Sequence, residues 1–587
     1  MRWLLALGLS VMAAAAFAQP ARPNIVVLVA DDWGFTDVGA YGGEIATPHL
    51  DALARQGARF SNFHVTASCS PTRSMLMTGV DNHRNGVGNM RETIPQAHLG
   101  RPGYLSVLDT NVVTVASLLQ DSGYRTYAAG KWHLGKELHN LPNRRGFDRS
   151  IVQGDSGSDN WDTAQRYLDL SDKVYWFEDG REAAMPADYY SSQFFVDRTI
   201  DYIKSGTKND KPFFAYVAFQ ANHIPVQAPA EFIDKYRGAY AKGWTALRQA
   251  RRDRAGELGL VPRDAPMASM STTTDWDALS DSDKLYQARR MEVYAGMAEA
   301  MDHHVGRLIA YLKESGAYDN TVFVFLSDNG PEASDPYASL SARLWLDWQY
   351  RRDLDSLGAK GAYSVIGPSW ASAAASPLST YKFYAGEGGL RVPLIVAGVP
   401  GTTPGAIQPG FAHVNDIAPT LLELARVARP GPTYGGRPVE AMSGRSLLPV
   451  LRGESRRVHP ADEPVGYELS GNQAVFKGDL KLVKNIAPVG DGQWRLYDIA
   501  VDPGETKDLA AQMPAVFSAM QADYAAYARA NGVLPMPEGY EPTRQVLINA
   551  VVNVMIPRFK VPALVALLGG ALLAAVIVYR RRHRRAP

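Results

Sequence analysis

The chain has 587 residues, more than one minimal core needs, so one large domain with a smaller companion is expected. Hydrophobic residues make up 46% and charged residues 21%, which excludes a disordered or low-complexity chain. Lys and Arg number 61 against 60 Asp and Glu, so global charge gives no support to a nucleic-acid partner.

Residues 1–18 have the layout of a secretory signal. Arg2 supplies the positive start, Leu4 to Ala16 the apolar run, and Ala16-Phe17-Ala18 a small-x-small cleavage site before Gln19-Pro20. Export is therefore expected. Cys69 is the one cysteine, which excludes an intrachain disulfide.

Short β-branched runs then alternate with helical patterns. The predicted strands are Asn24–Val29, Arg125–Ala129, Phe213–Phe219, Thr321–Leu326 and Pro393–Ala397. Several are apolar throughout, as central strands covered on both faces should be. Thr47-Pro48 opens a helix that Gly57 closes, Asn111 to Gly123 forms another, and a long one runs from about Tyr286 to Gly316. This alternation predicts an α/β fold, a large mixed and mainly parallel sheet sandwiched by helices. Asp234–Ser282 and Pro331–Ser379 read as polar surface insertions. The main domain is expected over 19–463. A small C-terminal α+β subdomain follows over 464–545, with strands at Gln473–Val483 and Trp494–Ile499 and a helix from Met513 to Ala530.

Val561 to Tyr579 carries no charge, and Arg580, Arg581, Arg582, Arg584 and Arg585 follow it. The stretch reads as a transmembrane helix or a cleavable sorting tail, with 580–587 as a basic cytoplasmic tail. The expectation is a main domain on the periplasmic side, anchored to the inner membrane.

Asp31-Asp32 follows the first strand directly, and Asp328-Asn329-Gly330 stands in the same way after Thr321–Leu326. Ligands of open α/β sheets bind beyond the carboxyl ends of the strands. Two adjacent carboxylates repel each other, a cost most easily offset by a hard cation. The all-oxygen set suits Ca²⁺, or else Mg²⁺, rather than Zn²⁺. Cys69-Ser70-Pro71-Thr72-Arg73 places Pro71 in the first turn of a helix and Cys69 at its N-terminus, where anionic oxygen is favoured. A buried structural cysteine and a thiolate nucleophile are the competing readings of this residue.

The C-x-P-x-R pattern resembles the sequence at which sulfatases have cysteine oxidised to Cα-formylglycine. Other segments match the same family in order. Gly130-Lys131-Trp132-His133-Leu134-Gly135 resembles its second signature, Asn222-His223-Ile224-Pro225 its later histidine motif, and Asp328-Asn329-Gly330 its metal motif. Gly388-Gly389-Leu390-Arg391-Val392-Pro393 resembles the loop after its last active-site lysine. The chain is thus identified as a formylglycine-dependent sulfatase, similar above all to bacterial arylsulfatases, with the alkaline-phosphatase-like fold.

The resemblance implies a set of roles. Asp31, Asp32, Asp328 and Asn329 hold Ca²⁺, and the formylglycine made from Cys69 completes the shell. The hydrated aldehyde at 69 attacks sulfur through one hydroxyl and displaces the alcohol. Its second hydroxyl then loses a proton, the aldehyde reforms, and sulfate leaves. Arg73 and Lys131 orient the diol, His133 takes the proton, and His223 and Lys382 contact the sulfate and the leaving oxygen. Glu387 is given no role. The implied partners are a small-molecule sulfate ester, above all an aryl one, and a formylglycine-generating enzyme acting before export. The alternatives are a phosphate or phosphonate ester hydrolase of the same superfamily, an envelope phosphoryl transferase, and a binding protein without turnover.

Overall fold

A computed structural model describes residues 22–161, 173–206 and 211–583. The signal-like segment 1–18 lies outside them. A ten-stranded sheet runs in the order Ala406–Gln408, Ala58–Phe60, Leu394–Ala397, Thr321–Ser327, Asn24–Ala30, Phe213–Ala218, Arg125–Lys131, Arg149–Gln153, Trp176–Glu178 and Arg181–Glu182. The strands from Thr321–Ser327 to Arg149–Gln153 are parallel. Leu394–Ala397 runs against them on one side, and Trp176–Glu178 does so on the other.

Asn24–Ala30 shows why this order follows from sequence. Val26 and Leu28 enter the core on one face of the sheet, and Ile25, Val27 and Val29 the core on the other. A strand buried on both faces must be apolar at every position. Helices Pro48–Gln56, Ser191–Gly206 and Asp281–Glu314 cover the first face, while Val115–Asp121 and Ile417–Leu424 cover the second.

Helix ends moved where capping outweighs periodicity. The long helix begins at Asp281, five residues before the apolar stripe, because the side chain of Ser280 caps the backbone of Asp283. Thr114 likewise caps Val115–Asp121 through Ser117, so that helix starts later than expected.

The two insertions are not polar surfaces throughout. Trp244 and Trp276 from the first pack edge to face on Trp370 from the second, and all three are buried. Arg251, on helix Gly243–Glu257, is fully buried against Asp37 at 2.6 Å and Glu44 at 2.8 Å. Lone aromatics in a charged sequence leave no period to read, so the insertions look more solvated than they are.

The C-terminal part forms a four-stranded antiparallel sheet, Val465–Leu469, Asn472–Lys477, Leu480–Lys484 and Arg495–Asp498, with helix Pro514–Asn531 on one face. The stretch expected as one strand over Gln473–Val483 is a hairpin turned at Gly478 (φ 62°). Tyr467 and Phe476 on its other face pack against Ala385, Leu390 and Phe411 of the main body.

The membrane anchor is corrected. A helix does span Ile556–His583, but among the described residues no helix is long and apolar enough to cross a membrane. Inner-membrane anchoring by this helix is therefore not supported, and the periplasmic placement that depended on the anchor goes with it.

Candidate active site

Four segments converge where the parallel strands end. Asp31 and Asp32 follow Asn24–Ala30, Lys131 closes Arg125–Lys131, Asp328 and Asn329 follow Thr321–Ser327, and His223 lies beyond Phe213–Ala218. The register sets these ends side by side, with Ala30 opposite Ser327 and Gly130 opposite Ala218. Gly130 turns at φ 106°, and a Cβ there would lie 1.8 Å from the carbonyl oxygen of Ala218, so only glycine brings Lys131 into place. Cys69 and Arg73 arrive on helix Cys69–Thr78, whose N-cap residue Ser68 is extended (φ −161°).

The sulfur of Cys69 is fully buried, 3.4 Å from Asp31 Oδ1 and 3.9 Å from Asp32 Oδ1. Arg73 donates through Nε to Asp328 Oδ2 at 2.8 Å, and its Nη2 stands 2.7 Å from the same oxygen and 3.5 Å from Asp31. Lys131 Nζ donates to Asp31 Oδ2 at 2.7 Å. Lys382 Nζ donates to Asp32 at 2.8 Å and to Glu332 at 2.9 Å. Asn329 donates from Nδ2 to Asp32 Oδ1 at 2.6 Å. His223 Nε2 lies 3.9 Å from Asp32, and the other ring nitrogen faces the carbonyl of Ile224 at 2.7 Å. His133 sits in a left-handed turn (φ 55°) and lines the cavity mouth beside Ser70; its Nδ1 is buried without a hydrogen-bond partner.

Dense burial shapes the charge states. It opposes ionisation of Asp31, yet Lys131, His223 and Arg73 together hold that carboxyl well below the usual range. Burial pushes Asp32 up to about 7 although Lys382 pulls the other way. Burial, with Asp328 adding to it, pushes the Cys69 thiol well up. Lys131 and Lys382 pull the other way, but burial outweighs them, so the side chains around Cys69 favour the neutral thiol. Burial and Lys131 hold His133 well below its ordinary value.

The donor set fits a hard cation. Ligand atoms of Asp31, Asp32, Cys69 and Asp328 lie within 4.8 Å of one another, and the buried Oδ1 of Asn329 has no hydrogen-bond partner. Carboxylate and amide oxygens at such spacing suit Ca²⁺ or Mg²⁺.

The residues named from sequence thus stand in one cluster, with His133 at its rim. Two residues were missed. Glu332 is buried beside Lys382, and its only signal was its position four residues after Asp328. Glu387 was given no role, yet it is fully buried and pairs with His64 at 3.1 Å and with Lys481 at 2.8 Å. Lys481 also meets Glu505 at 2.9 Å. This network ties the loop carrying Lys382 to the C-terminal sheet, and only the fold brings its members together.

An all-oxygen cation site beside a buried side chain at a helix N-terminus, ringed by three cationic groups, is the arrangement of a metal-assisted hydrolase of anionic esters. Comparison with known proteins narrows the class. A family model described as Sulfatase matches residues 23–427. An uncharacterised sulfatase of Schizosaccharomyces pombe is 37% identical over 537 residues, which cover 89% of this chain and 96% of that one. Arylsulfatase of Klebsiella aerogenes is 35% identical over 436 residues, 74% of this chain and 93% of its own. Among solved structures, Ps i-CgsB in complex with k-i-k-neocarrahexaose matches with a TM-score of 0.63 at 24% identity, covering 92% of this chain and 99% of its own, a likeness of fold.

The chain belongs to the sulfatase family, within the alkaline-phosphatase-like superfamily. Its reaction is hydrolysis of sulfate esters.

Proposed function

We propose that the chain hydrolyses aryl sulfate monoesters to a phenol and inorganic sulfate, with the side chain at position 69, converted to formylglycine, as nucleophile. The observation that carries this reading is the seat of Cys69. It is fully buried at a helix N-terminus, within 3.4 Å and 3.9 Å of two carboxylates. An anionic thiolate is disfavoured there, whereas a hydrated aldehyde offers neutral hydroxyls to the same acceptors. The likeness to Klebsiella aerogenes arylsulfatase supports the aryl preference.

Asp31, Asp32, Asp328 and Asn329 would hold Ca²⁺. When bound, the cation offsets charge on the sulfate oxygens and makes the attacking hydroxyl more acidic. The protein's own groups do the rest. Lys131, on Asp31, and Arg73, between Asp328 and Asp31, would hold the nucleophile's oxygens by charge-assisted hydrogen bonds. Lys382, steadied by Glu332, meets the sulfate. His133, neutral and with one ring nitrogen unpartnered, accepts the proton whose departure expels sulfate. His223, whose Nδ1–H donates to the carbonyl of Ile224, turns Nε2 toward the leaving oxygen and, once Nε2 also takes up a proton, donates it to that oxygen as the alcohol departs.

Purified, metal-loaded protein should turn over 4-nitrophenyl sulfate far faster than 4-nitrophenyl phosphate, and Cys69→Ala should abolish turnover. Preference for the phosphate would assign the chain to the phosphoester hydrolases of its superfamily instead.

A further inference from the structure

A cavity of about 520 Å³ opens above the site, with Ser70 and His133 among its lining residues. This lies within the ~300–1,000 Å³ typical of pockets for drug-sized ligands, and a single phenyl ring leaves much of it to water. One wall comes from beyond the family match, which ends at residue 427. Val546, Asn549, Ala550, Asn553, Val554 and Pro557 line the cavity from the helix that starts at Pro542. Their spacing is that of one helical stripe. Leu547, Ile548 and Val552 point away and are exposed.

The helix is clasped to the main body rather than resting on it. Asn549 is buried, and its Nδ2 donates to the carbonyls of Arg91 at 3.2 Å, Glu92 at 2.9 Å and Ile94 at 2.9 Å. Its Oδ1 accepts from Gln96 at 3.0 Å and from Gln545 at 3.0 Å. Glu541 caps the helix by accepting from the backbone of Thr543 and Arg544, and the Tyr540 hydroxyl donates to the carbonyl of Thr93 at 2.8 Å. A π-helical turn follows at Val551–Met555, a feature that concentrates at functional sites. Val546, Ala550, Val554 and Pro557 give the wall it completes an aliphatic strip. Asn553 and Arg558 add polar groups to that wall, and Arg91, Glu92, Lys136, Glu137 and Asp155 line the same cavity and supply a polar rim.

We propose that the helix face from Val546 to Pro557 is the specificity-determining wall of the substrate cleft, selecting sulfate monoesters whose leaving alcohol is a flat, mainly apolar system of two or more fused rings. The aliphatic face of the helix packs on the ring plane, and the polar residues meet substituents on its rim. Asn549 is the positioning residue, since it sets the distance between the helix and the 91–94 segment.

This inference rests on the sulfatase reading above, and the test separates the two. Full-length wild type, Val554→Trp, Asn549→Ala and Leu547→Trp are assayed with 4-nitrophenyl sulfate (one ring) and 4-methylumbelliferyl sulfate (two fused rings), whose leaving groups have similar acidity. Val554→Trp should lower kcat/KM for the two-ring ester by ~10-fold or more, mainly through KM, while one-ring turnover stays within about 2-fold. Asn549→Ala should shrink the preference for two rings over one in the same direction. Leu547→Trp, on the outward face, should change neither substrate. Equal losses on both substrates in Val554→Trp, or no loss on either, would overturn the proposal while leaving the sulfatase reading intact. No turnover of either ester by wild type would overturn the sulfatase reading, and this inference with it.

Discussion

Lys481→Met removes one charge from a network that is almost wholly buried. Lys481 is fully buried, 2.8 Å from Glu387 and 2.9 Å from Glu505. Methionine keeps most of the side-chain volume, so packing changes little and the loss is electrostatic. Breaking a buried pair by removing one partner costs about 3–5 kcal/mol, because the remaining charge is left without compensation. Glu387 keeps His64 at 3.1 Å and Arg391 at 3.6 Å. Glu505 loses its cation, but burial already raises its pKa, so it takes up a proton and limits the loss to roughly 3 kcal/mol. At ~2.1 cal/mol/K per residue, the unfolding entropy of this chain is about 1.2 kcal/mol/K, and Tm should fall by about 2.5 °C if the chain unfolds as a unit. Scanning calorimetry at neutral pH measures it. Glu505 also accepts from the backbone of Glu387 at 2.9 Å, in the loop that carries Lys382, so KM for 4-nitrophenyl sulfate should rise as well. Adding Glu505→Gln should cost less than the sum of the single changes. A Lys481→Met protein with wild-type Tm and KM would refute the reasoning.

Other outcomes follow from the same geometry. Asp328→Ala removes one acidic oxygen donor and the main partner of Arg73, and should cost at least ~10²-fold in kcat/KM; chelation should inactivate wild type, with Ca²⁺ or Mg²⁺ restoring it better than Zn²⁺. Full activity with no metal by elemental analysis would contradict this. His223→Ala should slow phenyl sulfate more than 4-nitrophenyl sulfate, by up to ~10²-fold, since a poorer leaving group needs more help from a donor. Parallel plots of rate against leaving-group pKa for wild type and variant would instead limit His223 to binding sulfate. Burial opposes charge on His83, but Asp81 and Glu468 raise its pKa to about 9. Its stabilisation is therefore fully present below the unfolded value near 6.5 and is lost as pH rises through about 9, an effect of about 3 kcal/mol. Tm measured from about pH 6 to pH 10 should fall more in wild type than in His83→Gln, and parallel curves would count against this pairing.

The central sheet was legible because its strands are buried on both faces and therefore apolar at every residue, as in Asn24–Ala30 and Thr321–Ser327. Most of the candidate site was legible because its residues follow those strands or share short segments with Cys69 and Lys131, whereas Lys382 rested on the resemblance of the loop after it. Partners brought together only by tertiary structure were not. Glu387, Lys481 and Glu505 lie far apart in sequence, and Lys481 in isolation looks like a solvated charge. Trp244, Trp276 and Trp370 stand alone in charged segments and show their common core only when folded. The segment after Pro542 shows the limit of hydropathy. The uncharged run Val561–Tyr579 drew attention to a membrane, while the segment just before it is fastened over the cavity by the buried side chain of Asn549.

The central claim is that position 69 carries an aldehyde when the protein is active. Tryptic cleavage after Arg59 and Arg73 isolates a peptide holding Cys69. In active enzyme this peptide should have lost its sulfur, gained a carbonyl oxygen and become reactive toward hydrazide, in proportion to the specific activity of the preparation. Fully active enzyme whose peptide holds only the unmodified thiol would contradict the account.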